Sequence, residues 1–124
     1  VSGILHRTWI FFLATSLFSV AVFARGAGQL EWVAIGDLPR EARQTLALIK
    51  QGGPFPYAKD GIVFGNYEGI LPKQRRGYYH EFTVPTQNAR NRGGRRIIVG
   101  GDYVPSRERY YTADHYASFK RIQE

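Results

Sequence analysis

Tyr78 to Val84 reads YYHEFTV, and Ala89 to Val99 reads ARNRGGRRIIV. Side chains alternate along a strand, so the first run sends Tyr79, Glu81 and Thr83 to one face and Tyr78, His80, Phe82 and Val84 to the other. The second run carries Arg90, Arg92, Arg95 and Arg96 around a Gly-Gly turn and continues as a β-branched strand. Alternation separates Arg95 from Arg96, so one of the two must face the core or a cleft. A glutamate in the middle of a strand is ordinarily a solvated side chain. Glu81 differs in its company, because an arginine-rich turn follows it.

Outward from this pair, three more short runs have strand character: IVF at 62–64, RYYT at 109–112 and YASFKRI at 116–122. Gly, Pro, Asn and Asp separate them, as an antiparallel sheet requires. Upstream, DLPREARQTLALIKQGG reads as a helix. Asp37 suits the N-cap region, Pro39 is tolerated in a first turn, and Glu41 complements the positive end of the helix dipole. Ala42, Leu46 and Ile49 recur at helical spacing on one face, and Lys50 and Gly52 close the C-terminal end. Between helix and sheet, GPFPYAKDG is a loop with Phe55 and Tyr57 as aromatic anchors. The expected fold is α+β, with one N-terminal helix packed on a roughly five-stranded antiparallel sheet.

The chain of 124 residues holds one such domain. Residues 1–24 contain no acid, carry His6 and Arg7, and continue as the apolar run TWIFFLATSLFSVAVFA. That pattern predicts a signal peptide, with Val22 and Ala24 at the positions a signal peptidase favours and cleavage after Ala24 or Ala27. A membrane anchor wants about 20 apolar residues, more than this run supplies. The expected product is secreted (extracellular), with a flexible tail at 25–29, a domain at 30–124 and no stable membrane association. The chain has no cysteine, so disulfides and thiolate metal sites are excluded. His80 and His115 are the only histidines after residue 24, which argues against zinc, and no cofactor is called for. His80, opposite Glu81, reads as a hydrogen-bonded structural residue. Without Arg7 the formal charge of +7 falls to +6, an excess that draws a small body to polyanions.

A strand carboxylate, an arginine turn and the lone histidine of YTADHYASF (111–119) are the residue types that metal-free RNA cleavage needs. A base takes the 2′-OH proton, a cation stabilises the phosphorane, and an acid protonates the leaving 5′-oxygen. Only RNA carries the internal nucleophile. Spacing by itself leaves open an ordinary basic β-rich domain.

The chain from about Leu30 to Ile122 resembles the small secreted guanyl-specific ribonucleases of bacteria, the barnase-like microbial ribonuclease family, and in particular its actinobacterial branch. LPREARQTLALI, GPFPYAKDGIVFGNYEGILP, GYYHEFTV, ARNRGGRRIIVGG and YYTADHYASF occur in the family's order. The resemblance implies Glu81 as general base, Arg92 and Arg96 as the phosphate-binding pair, His115 as general acid, and Tyr116 as a further phosphate contact. It implies Glu68 as acceptor for guanine N1 and N2, with Asn66 and backbone groups at the O6 and N7 edge and Phe64 and Tyr67 flanking the base. Tyr67 stands where bacterial relatives often carry Arg, and Gly65 replaces a larger polar residue. The family's disulfide is absent. Asp114, beside His115 in a strand-like stretch, should point away from it and serve structure. Lys73, Arg75 and Arg76 read as a solvated basic loop with general attraction for phosphate.

The implied activity is a monomeric endoribonuclease that cleaves single-stranded RNA after guanosine, through a 2′,3′-cyclic phosphate to a 3′-phosphate. An acidic barstar-like inhibitor is the implied protein partner, and action as a toxin against competitors is a further role. The alternative is a basic RNA-binding or antimicrobial exoprotein without turnover. A binding module has no need of a carboxylate in a phosphate cleft.

Overall fold

The computed structural model describes residues 30–102 and 105–124. The expected signal peptide (1–24) and tail (25–29) lie outside the described residues, as do Tyr103 and Val104. The helix α1 runs Arg40–Gln51 and buries Ala42, Thr45, Leu46 and Ile49 on one face. It ends where Gly52 enters the left-handed region at φ +80°, with the amides of Gly52 and Gly53 returning to Ile49 O and Leu48 O. Its start differs from expectation. Asp37 sits in a preceding 3-10 turn, Ile35–Asp37, and no side chain caps α1.

The sheet has six strands: β1 Glu31–Ala34, β2 Val63–Phe64, β3 Tyr79–Thr83, β4 Arg96–Gly100, β5 Arg109–Thr112 and β6 Lys120–Gln123. Their order is β1-β6-β5-β4-β3-β2, and β1 is parallel to β6 while every other pair is antiparallel. The expected five-stranded antiparallel sheet is therefore corrected to a six-stranded mixed one. The added strand, EWVA, is short and mostly exposed, so no alternation marks it. The last strand begins at Lys120 instead of Tyr116, because the chain turns through 113–118.

Register divides the sheet into two faces. Phe82, Ile97 and Tyr111 align across β3, β4 and β5, and with Val84, Val99 and Ile122 they pack against Leu38, Ala42, Leu46 and Ile49. Thr45 Oγ1 donates to Thr83 O at 3.0 Å and fastens α1 to the sheet. On the other face Glu81, Ile98 and Tyr110 align, as do Thr83, Arg96 and Thr112. Leu71, Tyr79, Ile98, Tyr110 and Phe119 form a second apolar cluster there. The helix covers the first face and leaves the second to loops.

Candidate active site

Glu81 is in the middle of β3 on the face away from α1, 7% exposed. Its backbone is fixed by Glu81 N donating to Ile62 O at 2.9 Å and Gly61 N donating to Glu81 O at 2.7 Å. Arg92 Nη2 donates to Glu81 Oε1 at 2.8 Å, and the Tyr116 hydroxyl donates to Oε2. Arg92 is itself oriented by Nε donating to Thr83 Oγ1 at 3.0 Å. Glu81 and Thr83 share a face, so one arginine reaches both.

Arg95 and Arg96 part as alternation requires. Arg95 turns toward α1, paired with Glu41 at 3.3 Å and donating to Pro85 O. Arg96 turns to the Glu81 face and is buried. Its Nη1 donates to Arg95 O at 2.8 Å and Arg92 O at 3.4 Å, while Nε has no hydrogen-bond partner among the described residues. A buried guanidinium with an unmatched donor next to a cleft is suited to an anionic ligand. Arg90 is exposed and outside this cluster.

The turn that carries His115 and Tyr116 is held by neighbours that pattern reading passed over. Both residues have positive φ, 53° and 75°, a conformation that side chains rarely adopt. Thr112 Oγ1 accepts from Tyr116 N at 3.1 Å and donates to Asp114 Oδ1 at 2.9 Å. Asp114 also accepts from Ser118 N at 2.9 Å and Ser118 Oγ at 2.5 Å. The Ser118 side chain first, then its amide, hold the Asp114 carboxyl below the usual range. Asp114 thus acts in structure as expected, but through a polar turn and not through strand alternation. His115 N donates to Gly94 O at 2.9 Å, and a Cβ on Gly94 would stand 3.4 Å from His115 Cβ. The glycine lets the arginine turn and the histidine turn approach. His115 is exposed, with its ring centroid 4.7 Å from that of Tyr116. Burial, and next the bond to Glu81, push the Tyr116 phenol up to about 12, so it remains a donor at neutral pH.

Beside this cluster lies a slot of about 150 Å³ lined by Phe64, Asn66, Tyr67, Glu68, Tyr116 and Phe119, among others. It brings together the four residues expected at the base, and Tyr116 joins it to Glu81. Phe64 and Tyr116 have ring centroids 5.0 Å apart. Asn66 has φ 52°, with Nδ2 donating to Leu71 O at 3.0 Å and Oδ1 accepting from Leu71 N at 3.2 Å. Its carboxamide therefore shapes the loop. Tyr67 is 92% exposed, lying over Gly65, where a Cβ would come within 2.4 Å of the ring. A side chain at position 65 and the Tyr67 ring in this place exclude one another. Thr83 and Thr112 are the residues sequence reading missed. The T-x-D-H turn chemistry of residues 112–115 was the available signal.

Among the described residues, no group of three or more His, Cys, Asp or Glu side chains is placed to hold a metal ion. The cluster gathers a buried carboxylate, Glu81, with the Arg92 guanidinium and the Tyr116 hydroxyl on it and the exposed imidazole of His115 against Tyr116. Comparison with known proteins narrows this to a family: residues 24–123 match the family model described as ribonuclease, and the chain belongs to that family. It is 56% identical over 90 residues to guanyl-specific ribonuclease Sa3 of Kitasatospora aureofaciens, an alignment covering 73% of this chain and 62% of that protein. It is 54% identical over 92 residues to guanyl-specific ribonuclease Sa of the same organism, covering 74% of this chain and 93% of the relative. The crystal structure of ribonuclease Sa2 with guanosine-2′-cyclophosphate superposes with a TM-score of 0.70 at 48% identity, over 77% of this chain and 97% of the other.

Proposed function

We propose that the protein is an endoribonuclease that cleaves single-stranded RNA after guanosine without a metal. The observation that carries the reading is the Glu81 carboxylate, buried in a strand and contacted by Arg92 and by Tyr116, which also lines a slot with a second carboxylate, Glu68, in its wall. Glu81 takes the 2′-OH proton, and the 2′-oxygen attacks phosphorus. Arg92, Arg96 and Tyr116 donate to the phosphoryl oxygens as negative charge builds. His115 protonates the departing 5′-oxygen, leaving a 2′,3′-cyclic phosphate. In the second stage His115 takes a proton from water and Glu81 returns one to the 2′-oxygen, giving the 3′-phosphate. Guanine offers two adjacent donors, N1 and N2, to the Glu68 carboxylate, and adenine has no such pair. The similarity to a protein crystallised with a guanosine cyclic phosphate supports the sequence of steps.

The test is turnover of GpN and ApN dinucleotides in EDTA. Cleavage of GpN in clear preference to ApN is expected. Cleavage of neither overturns the enzyme reading, and equal cleavage overturns the role given to Glu68. Residues 1–24 are read as an export signal, which N-terminal sequencing of protein from the culture medium checks. A barstar-like acidic inhibitor would suit the basic cleft of a monomer, and inhibition of GpN turnover by such a protein is the corresponding measurement.

A further inference from the structure

A second, larger cavity of about 1000 Å³ borders the guanine slot along Phe64, Asn66 and Tyr67. This short segment borders both spaces and serves as the partition they share. The lining of the larger recess includes Lys73, Arg75 and Arg76 and no carboxylate. Among the described residues, none of these three cations takes part in an ion pair. Lys73, Arg75 and Arg76 are all exposed, and the Arg75 guanidinium lies 5.5 Å from the centre of the Tyr78 ring. The apolar side of the recess comes from Val63, half exposed, and the Tyr67 ring. Unpaired cations beside exposed apolar and aromatic surface are what a single-stranded nucleic acid binds, phosphate to charge and base to ring.

The polarity follows from which residues are shared. The guanine slot has Tyr116 in common with the Glu81 cluster, and the basic recess has none of the cluster's residues. The phosphate to be cleaved is on the 3′-oxygen of the guanosine, so the strand leaves the slot toward Glu81 in the 3′ direction. Away from Glu81 the strand runs 5′, and the basic recess is the space bordering the slot that shares none of the cluster's residues. Resting on the reading of the cleft as a guanyl-specific ribonuclease site, we infer that the Lys73–Gly77 recess binds the nucleotide on the 5′ side of the cleaved guanosine. Lys73, Arg75 and Arg76 hold its phosphate, and the outer side of the 65–67 partition supports its base. No base edge is read, so this subsite adds affinity for long RNA without sequence preference.

The test compares kcat/KM for GpN with that for NpGpN having the same leaving nucleotide, in the wild type and in Lys73→Gln/Arg76→Gln. The wild type should favour NpGpN by about five- to ten-fold at low salt, given exposed cations and one phosphate. In the double variant that advantage should fall below about two-fold, with GpN turnover unaltered and any advantage of GpNpN retained, since only one phosphate contact is removed. No 5′ advantage in the wild type, equal loss on GpN and NpGpN, or loss confined to GpNpN would each overturn the assignment. Binding of oligonucleotides with 2′-deoxyguanosine at the cleavage site, followed by fluorescence anisotropy with and without 5′ nucleotides, decides the same point without turnover. A wild type that cleaves no GpN therefore sinks the nuclease reading alone. If the double variant lost affinity for polyglutamate but not for the 5′-extended oligonucleotide, the recess would belong to an acidic protein partner and the RNA subsite would be wrong.

Discussion

The two faces of one sheet are built from alternate residues of the same strands, and they behave as different materials. On the α1 face, Phe82, Val84, Ile97 and Val99 are fully buried against helix side chains, and the charged groups drawn near are paired at its rim, Arg95 with Glu41 and Arg109 with Glu124, which also meets Lys50 of the helix. On the opposite face Glu81, Thr83, Arg96 and Thr112 are also buried, each an expensive group to take out of water. The first face has the composition of a core and the second that of a binding site sunk into a core. What the contrast teaches is a division of labour: the helix face fixes the strands, and the strands hold the polar groups at positions they would not choose for stability.

The sharpest way to break this division is to alter one residue on each face. Glu81→Gln keeps the shape and removes the charge. It should lower kcat/KM for GpN by about 10²–10⁴, the usual worth of a positioned acid or base. Its urea midpoint should stay close to wild type, and His115→Ala should behave alike because the side chain is exposed. A stability loss in place of an activity loss would mean that the polar face is scaffold after all. Phe82→Ala, one residue along the strand, should do the reverse. It empties a fully buried site that packs on Phe55 at 4.9 Å between ring centroids, and should cost about 3–5 kcal/mol in denaturant unfolding. The molecules that stay folded should turn over GpN at near the wild-type rate.

The division between faces was legible in YYHEFTV, because period-two alternation depends on nothing outside the strand. The helix was legible for a similar reason: Ala42, Leu46 and Ile49 mark its buried side, and Gly52 is the one residue type that ends it cheaply. Two things were hidden. The strand Glu31–Ala34 owes its conformation to parallel pairing with Lys120–Gln123, at the far end of the chain, and its own residues carry no alternation. The turn at His115 and Tyr116 looked like strand because Tyr116 and Phe119 are aromatic, yet Thr112, Asp114 and Ser118 bond to one another and hold positive φ instead. The family blocks named residues that the structure brings together around Glu81 and the neighbouring slot. They did not reveal that the Asn66 carboxamide is committed to Leu71, or that Tyr67 rests on Gly65.

Two adjacent tyrosines of β5 give the finest test of the contrast, because Tyr110 faces the polar side and Tyr111 the helix. Burial raises both phenols above their ordinary value of 10.0. For Tyr110 the hydrogen bond it donates to Glu108 Oε2, at 2.7 Å, and the charge of Glu108 add to the effect, whereas Arg95 opposes it at Tyr111. A phenol whose folded-state pKa is raised keeps its proton when the unfolded chain has lost it. Its contribution is therefore whole below the unfolded value and fades as pH rises beyond it. Tyr79 is pushed up to about 12 by burial and then by Glu108, so the loss should run from near pH 10 upward. Tyr110→Phe should cost about 1 kcal/mol at neutral pH through the lost hydrogen bond, and should flatten the alkaline fall in stability measured by denaturant titration between pH 9 and 11. Tyr111→Phe should flatten it less, because Arg95 opposes that shift and the charge of Glu41 adds less than Arg95 takes away. Equal flattening by both would show that burial alone sets the alkaline limit, and that the polar face is no different from the apolar one in this respect.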